Sequence, residues 1–318
     1  MGYVGSHDQS QKEQLTSHNW RKVKAVCIGF LTLAASTNSH MKNYILLIAL
    51  LGLHLTAVAQ EKAKIKGSKI VTITQKEVGE FQSIEVGENL EVYLIKGDKN
   101  GVEIEADDNL HDAIDLKVTG TNLTIGTNKT ITAAKKLSIR ISYTPSFNTV
   151  ISKGDASIMA LAPVQLDSIV FKSFDNSKVF AYLNSKNVTV LANDKSKGEW
   201  NIKAEKTKIE LSKNAKMKAL IASISMRCDL YQRAIADIEG DITDMKLRLD
   251  NNATYNGKNC AVKNAELTME AYTNSNLNVT SALSIDASGK AEIQLYGDQK
   301  IDMKRFVDNA ILYKKPTK

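Results

Sequence analysis

In the second half of the chain, apolar and polar positions recur with a fixed step. A small residue sits in a polar turn, and an apolar pair precedes it by six and four positions. The pairs are Val190/Ala192 before Ser196, Ile209/Leu211 before Ala215, Cys228/Leu230 before Ala234, Leu247/Leu249 before Ala253, Met269/Ala271 before Ser275 and Ile285/Ala287 before Ala291. From Ser177 onward these small residues are 19, 19, 19, 19, 22 and 16 residues apart. The step is too long for a heptad and too short for a helical hairpin. It suits one winding of a β-solenoid, in which each coil lays its strands on the coil before. The predicted class is therefore all-β: a parallel β-helix (β-solenoid) of about 19 residues per coil. Inward side chains at equivalent positions then form ladders with rungs about 4.8 Å apart.

Residues 60–318 read as a single β-helix domain, made of N-terminal strands over 60–150, regular coils over 151–300 and a C-terminal cap over 301–318. In the first part, Ile70 to Ile73, Leu90/Val92/Leu94, Val102/Ile104/Ala106 and Leu137/Ile139/Ile141 alternate with polar residues, as half-buried strands do. Residues 107–114 are the one short helix expected, capped by Asp107 or Asp108. The column just before each small residue (Asn176, Asn214, Asn252 and Asn274 among others) is expected to be the corner, because Asn tolerates left-handed backbone. Gly240, Gly257, Gly289 and Gly297 suit other corners. Met303, Phe306, Val307, Ile311 and Leu312 are expected to close the last coil, since a bare edge aggregates.

The start of the chain has a different pattern. Met41-Lys42 opens a short basic segment, Tyr44 to Leu55 is apolar, and Ala57-Val58-Ala59 is a small-x-small cleavage site before Gln60. Residues 41–59 thus read as a secretory signal peptide, too short for a comfortable membrane span. Residues 1–40 read as a gene-model extension or a disordered leader. Removing 1–59 takes away five basic and two acidic residues, so the net charge falls from +7 to +4. No dense Lys/Arg block with interleaved aromatics appears, which argues against a nucleic-acid partner. His111, Cys228 and Cys260 are then the remaining histidine and cysteines. Cys228 falls in the apolar column of Ile209 and Leu247 and Cys260 elsewhere on its coil, so two separate thiols are favoured over a disulfide.

Three stretches resemble a known family. They are Phe81-Gln82-Ser83-Ile84-Glu85-Val86, then Val92-Tyr93-Leu94-Ile95-Lys96-Gly97-Asp98, then Val102 to Leu110 with its Glu105-Ala106-Asp107-Asp108-Asn109-Leu110 segment. They are similar to the opening of the auto-transporter adhesin head GIN domain family (DUF2807), common in exported proteins of Bacteroidetes. Leu123 to Ile125, Leu137 to Ile141, Pro145 to Phe147 and Ile151 to Ser157 extend the resemblance, which covers most of 78–300. It implies a right-handed β-helix and an adhesion-like role. The Ser/Gly-rich turn of the family is here Ser152-Lys153-Gly154-Asp155-Ala156-Ser157, and the later coils favour Lys and Asn over Gly. Both departures weaken inference about a shared ligand, and the family brings no catalytic residues.

Candidate chemistry is sparse. A Ser-His-Asp or Cys-His system would need His111, expected to face solvent from its helix. Zinc needs three or four clustered ligands, which no spacing supplies. Asp175 and Asp194 share a column on successive coils and could hold calcium or share a proton, yet the column continues Lys213, Gln232, Asn251 like an ordinary exposed corner. Asp107-Asp108 and the Asp241/Asp244 pair are equally weak as calcium sites, the first being explained by helix capping. Trp200, Tyr182, Tyr231, Tyr255, Tyr272 and Tyr296 fall in several columns, so no continuous sugar-binding strip is expected. No catalytic, cofactor-binding or metal-binding residue is assigned and no cofactor is expected. The sequence favours a non-enzymatic binding or adhesion-like protein exported by a Gram-negative bacterium to periplasm, outer surface or medium. A glycan or another envelope protein is its expected partner, with no membrane span in the mature chain. The alternative is a carbohydrate-active enzyme, a polysaccharide lyase or hydrolase, using carboxylates on the β-helix face.

Overall fold

The computed structural model describes residues 62–316, so the expected leader and signal peptide lie outside the described residues. The first part of the chain forms β1 (Lys64–Lys66), β2 (Val71–Lys76), β3 (Ser83–Val86), β4 (Glu91–Lys96), β5 (Gly101–Asp107), a 3-10 helix (Asp108–Ala113), β6 (Ile114–Thr119), β7 (Asn122–Thr127), β8 (Thr130–Thr132) and β9 (Leu137–Tyr143). The coils follow as β10 (Thr149–Ser152), β11 (Ser157–Val164), β12 (Ser168–Ser173), β13 (Lys178–Ala192), β14 (Lys197–Leu211), β15 (Lys216–Gln232), β16 (Ile235–Asn251), β17 (Thr254–Met269) and β18 (Asn274–Ala287). β19 (Glu292–Tyr296), β20 (Lys300–Phe306) and β21 (Ile311–Lys314) complete the chain. Together they build a β-solenoid of about nine turns with ~19 residues per coil, as the spacing predicts.

Each regular coil has two straight runs. In β13, Val179, Ala181, Leu183 and Ser185 point inward, then Val188 and Val190. Between them Lys186 and Asn187 are both exposed, and the pairing with β14 passes over Lys186 and Glu205. The inward parity switches at this bend, because one extra residue turns the strand. Ile224 and Thr243 occupy the same bend in β15 and β16.

The other corner is a ridge. Asp175, Asp194, Lys213, Gln232, Asn251, Ala271 and Gly289 all have φ between +56° and +74°. They sit two residues before the small residue, so the left-handed column lies one position earlier than the sequence suggests. Left-handed backbone costs a non-glycine residue about 1–2 kcal/mol. The carbonyl of most corners accepts an N–H of the next coil: Lys195 to Asp175, Asn214 to Asp194 and Arg233 to Lys213, all at 2.8 Å. Stacking thus supplies these corners with a partner that an isolated turn lacks. The ridge also corrects one register assignment. Ser275 pairs with Tyr255 and Ile293, so the small residue of that coil is Thr273, and its apolar pair is Leu267/Met269.

The core is one continuous stack of buried Ile, Leu, Val and Ala, with two large rings seated where glycine leaves room. A Cβ on Gly198 would collide with the Trp200 indole, and one on Gly257 with the Tyr255 ring. The inward columns therefore keep constant volume by pairing a bulky residue with none two positions away.

The first coils are not in chain order. β3 and β4 lie between β7 and β9 on one side and β10 and β11 on the other, all parallel. β6 then runs antiparallel on β7, β5 antiparallel on β9, and β2 antiparallel on β5. This antiparallel layer closes the N-terminal end of the core over Val102, Ile104 and Ala106. At the other end, β20 and β21 pair parallel with β18 and β19. The segment expected to fold over the last coil is itself another coil.

Candidate functional site

The acidic pair singled out by spacing lies on the open ridge. Asp175 Oδ2 accepts the Gly154 N–H at 2.8 Å, and Asp194 Oδ2 accepts the Asp175 N–H at 3.4 Å. Asp194 Oδ1 also accepts from Lys213 Nζ at 2.6 Å, and that ammonium holds the Asp194 carboxyl below its ordinary range. Each carboxylate thus ties its corner to a neighbouring coil. Aspartate in this column has a structural task.

Other candidates are also absorbed by the fold. His111 is mostly buried in the 3-10 helix, with Nε2 2.9 Å from Thr72 Oγ1, rather than facing solvent. Asp107 does not cap that helix. It is buried, and accepts the backbone N–H groups of Lys69, Lys135 and Lys136 at 2.9–3.2 Å. Burial pushes its pKa up, but these three donors outweigh it and hold the carboxyl below its ordinary value. The family-like Asp107 is therefore a knot joining three segments of the N-terminal layer. Asp244 accepts from Asn264 at 2.9 Å. Cys228 and Cys260 are buried and unbonded to each other. Among the described residues no three His, Cys, Asp or Glu side chains gather where they could share a metal ion.

What the structure does assemble is an apolar patch on the outer side of the longer run. Tyr93 of β4 lies beside Met159 of β11, and Met159 beside Phe180 of β13. Two residues further along the same strands are Ile95, Leu161 and Tyr182, all exposed. Leu161 stands at a register shift and is 72% exposed, so it projects from the sheet. Six apolar outward positions on three successive strands make a contiguous surface of the kind that marks an interaction site. The patch has defined borders. On one side Tyr93 pairs with Arg140, whose Nη1 is 2.5 Å from Glu103. On the other, Phe180 and Tyr182 pair with Glu199 and Asn201.

Beyond the patch, along the bend, runs an open groove of about 850 Å³. Leu166, Ala204, Ala222 and Ile224 contribute its apolar part, Lys96, Lys186 and Lys203 its cations, and Asp167 and Glu205 its carboxylates. Lys186 is 2.8 Å from Asp167. The volume lies within the usual range for ligand pockets, about 300–1,000 Å³.

Further along the same outer side, the surface is made of amides. Asn256 Nδ2 donates to Asp237 Oδ1 at 2.6 Å, and Asn276 Nδ2 to Asn256 Oδ1 at 2.9 Å. A sequence signal for the patch existed. Val92 to Ile95, Ile158 to Ala162 and Val179 to Leu183 are apolar at both parities, whereas a strand with one solvated side alternates. The inward ladder accounts for only half of each run.

These residues and this fold have relatives. The sequence profile described as "Putative auto-transporter adhesin, head GIN domain" (DUF2807) matches residues 80–298. A crystal structure of a putative adhesin from Parabacteroides distasonis is similar over 78% of this chain and 99% of its own, with 17% identity and a TM-score of 0.58. A putative lipid binding protein from the same species aligns over 80% of this chain and 100% of its own, at 16% identity and TM-score 0.55. A putative adhesin from Parabacteroides merdae covers the same shares at 16% identity and TM-score 0.51. At such identities the likeness concerns the fold. No curated protein matches the chain.

Proposed function

The chain belongs to the head GIN domain family (DUF2807), and from that premise we propose that it is an exported, non-enzymatic binding module of the cell envelope that engages its partner through the patch around Leu161. The observation that carries this reading is the contiguous outward surface of exposed Ile95, Leu161 and Tyr182 beside half-buried Tyr93, Met159 and Phe180. Burying these side chains against a partner removes apolar area from water at about 25 cal/mol per Å². The groove beside them, with Lys96 and Lys203 on its rim, extends the contact toward polar or anionic groups. Export rests on the signal-peptide pattern of residues 41–59. No helix among the described residues is long and apolar enough to cross a membrane.

For the carboxylate-groove alternative, Asp175 and Asp194 bond the ridge, while Asp167 and Glu205 line the groove and are the carboxylates a cleavage assay would address. The partner classes to test are envelope glycans, envelope proteins and lipid surfaces. Lipid belongs among them because of the apolar patch and because one structural neighbour bears a lipid-binding name. The test is a binding panel of bacterial polysaccharides, outer-membrane protein fractions and phospholipid vesicles, with polysaccharide cleavage products assayed in parallel. Saturable retention of the chain by one class, without product, is expected. Cleavage of a polysaccharide, or retention by no class, would overturn the reading.

A further inference from the structure

The two ends of the solenoid are built differently, and the C-terminal one is the more exposed among the described residues. Ile301, Met303 and Phe306 of β20 continue the inward columns of Leu283, Ile285 and Ala287, and Leu312 of β21 continues that of Ile293. In β18 and β19 these columns are closed to solvent: Leu283 is 1% exposed and Ile285, Ala287 and Ile293 are 0%. One coil later Met303 is 47% exposed and Ile301 36%. Val307, Ile311 and Tyr313 add exposed apolar surface around the same rim. Among the described residues the core thus ends at a partly exposed coil, in which β20 pairs only with β18 and β21 only with β19.

Part of this rim is blunted. Lys314 occupies the inward column of Leu295, and its ammonium turns back to the Gly297 carbonyl and Gln299. The pairing of β20 with β18 shifts at Lys304. Such devices limit open-ended strand addition. They leave Ile301 and Met303 exposed, while Phe306 and Leu312 stay half-buried against the core.

We propose that this open end is covered by the same end of a second copy, related by a two-fold axis across the rod. The occupant is argued from self-complementarity. A two-fold axis sets β21 antiparallel to its own copy, and a register centred on Leu312 brings Leu312 against Leu312 inward and Ile311 against Tyr313 outward. Centring β20 on Met303 places Asp302 of each copy opposite Lys304 of the other, so the ion pair these two make within one strand at 2.6 Å can be exchanged between copies. These are the reciprocal pairs that an isologous interface requires. The N-terminal end is built differently, from antiparallel β2, β5 and β6 with Ile70 and Ile73 exposed. A two-fold contact uses the C-terminal end of both copies, so this pairing closes at a dimer. The two lateral patches of such a dimer would point outward from one doubled rod, adding avidity to weak contacts.

The test is light scattering of the full chain across a wide concentration range, with Ile311→Lys/Tyr313→Lys as the probe variant. Both positions are outward and exposed, so the fold should persist, as circular dichroism would verify. The expected result is a concentration-dependent dimer whose self-association weakens at least tenfold in the variant, with amides of residues 300–314 slower to exchange in the dimer. A wild-type chain that is monomeric at every concentration overturns the proposal. So does a dimer that the variant leaves intact, or protection of 300–314 in a monomer, which would mean that another part of the chain covers the end.

Discussion

The outer side of the longer run carries two surfaces on one scaffold. Over β4, β11 and β13 it is apolar, with Tyr93, Met159, Phe180 and Leu161 facing solvent. Over β16, β17 and β18 it is a ladder of amides and carboxylates, Asp237 to Asn256 to Asn276. The inward columns beneath the two are alike, and so is the parallel register. The difference shows that stacking constrains the inward half of each strand and leaves the outward half free. In the amide half, the outward side chains bond to one another and add to stability. In the apolar half only the Tyr93 hydroxyl is bonded, to Glu91, and the apolar side chains are exposed at a cost that a partner recovers.

The comparison can be broken most severely from beneath. Leu230 and Leu267 are buried in the shared core, and each Leu→Ala substitution should cost about 2–5 kcal/mol in denaturant unfolding, from lost transfer energy and the cavity left. A smaller loss would mean that the coils collapse around the gap independently. Next in size is the ladder. Asn256→Ala removes one bond given and one received, and should lower stability by about 1 kcal/mol. Leu161→Ser, in the other half, should change stability by less than about 0.5 kcal/mol, because its side chain is already in water. Equal effects at the two positions would erase the distinction.

A third measurement uses pH. Burial pushes the Cys260 thiol up to about 11 and the Cys228 and Tyr255 groups higher than their usual values. An unfolded chain releases the thiol proton near pH 9, while the folded chain keeps it until about 11. This contribution is therefore complete below pH 9 and is lost as pH rises through 11. Cys260→Ala should reduce the protons released on unfolding in that window by about one. An unchanged alkaline slope would place the thiol in water. The smallest effect belongs to the ridge: Gln232→Gly, at φ +60°, should stabilise by up to about 1 kcal/mol, because glycine adopts this backbone without a Cβ clash. A loss of stability would show that the Gln232 side chain contributes more than its backbone strain.

Much of the architecture could be read from spacing, because stacking enforces one residue count per coil and small residues under the ridge. The misassigned Ser275 shows the limit. β17 and β18 contain register shifts near Gly257 and Ala261, and a Ser two positions from a Thr satisfies the same pattern. The interleaving of β3 and β4 between β7, β9 and later strands left no periodic trace, since it is a matter of strand order. Left-handed corners at Asp, Lys, Gln and Ala were illegible for another reason. Residue type predicts such corners only when local preference decides, and here the hydrogen bonds between coils decide. The patch was written in plain apolar residues, but a rule that looks for alternation treats the second apolar parity as redundant.

The central claim is that the partner is engaged by the apolar half and not by the amide half. It is tested most directly by co-sedimentation of the chain with an outer-membrane fraction from a Gram-negative bacterium. Wild type would be compared with Leu161→Ser/Phe180→Ser/Tyr182→Ser and with Asn256→Ala/Asn276→Ala, all verified as folded. The account predicts at least a tenfold loss of binding for the first variant and wild-type binding for the second. Retained binding by the first variant, or its loss in the second alone, would contradict it.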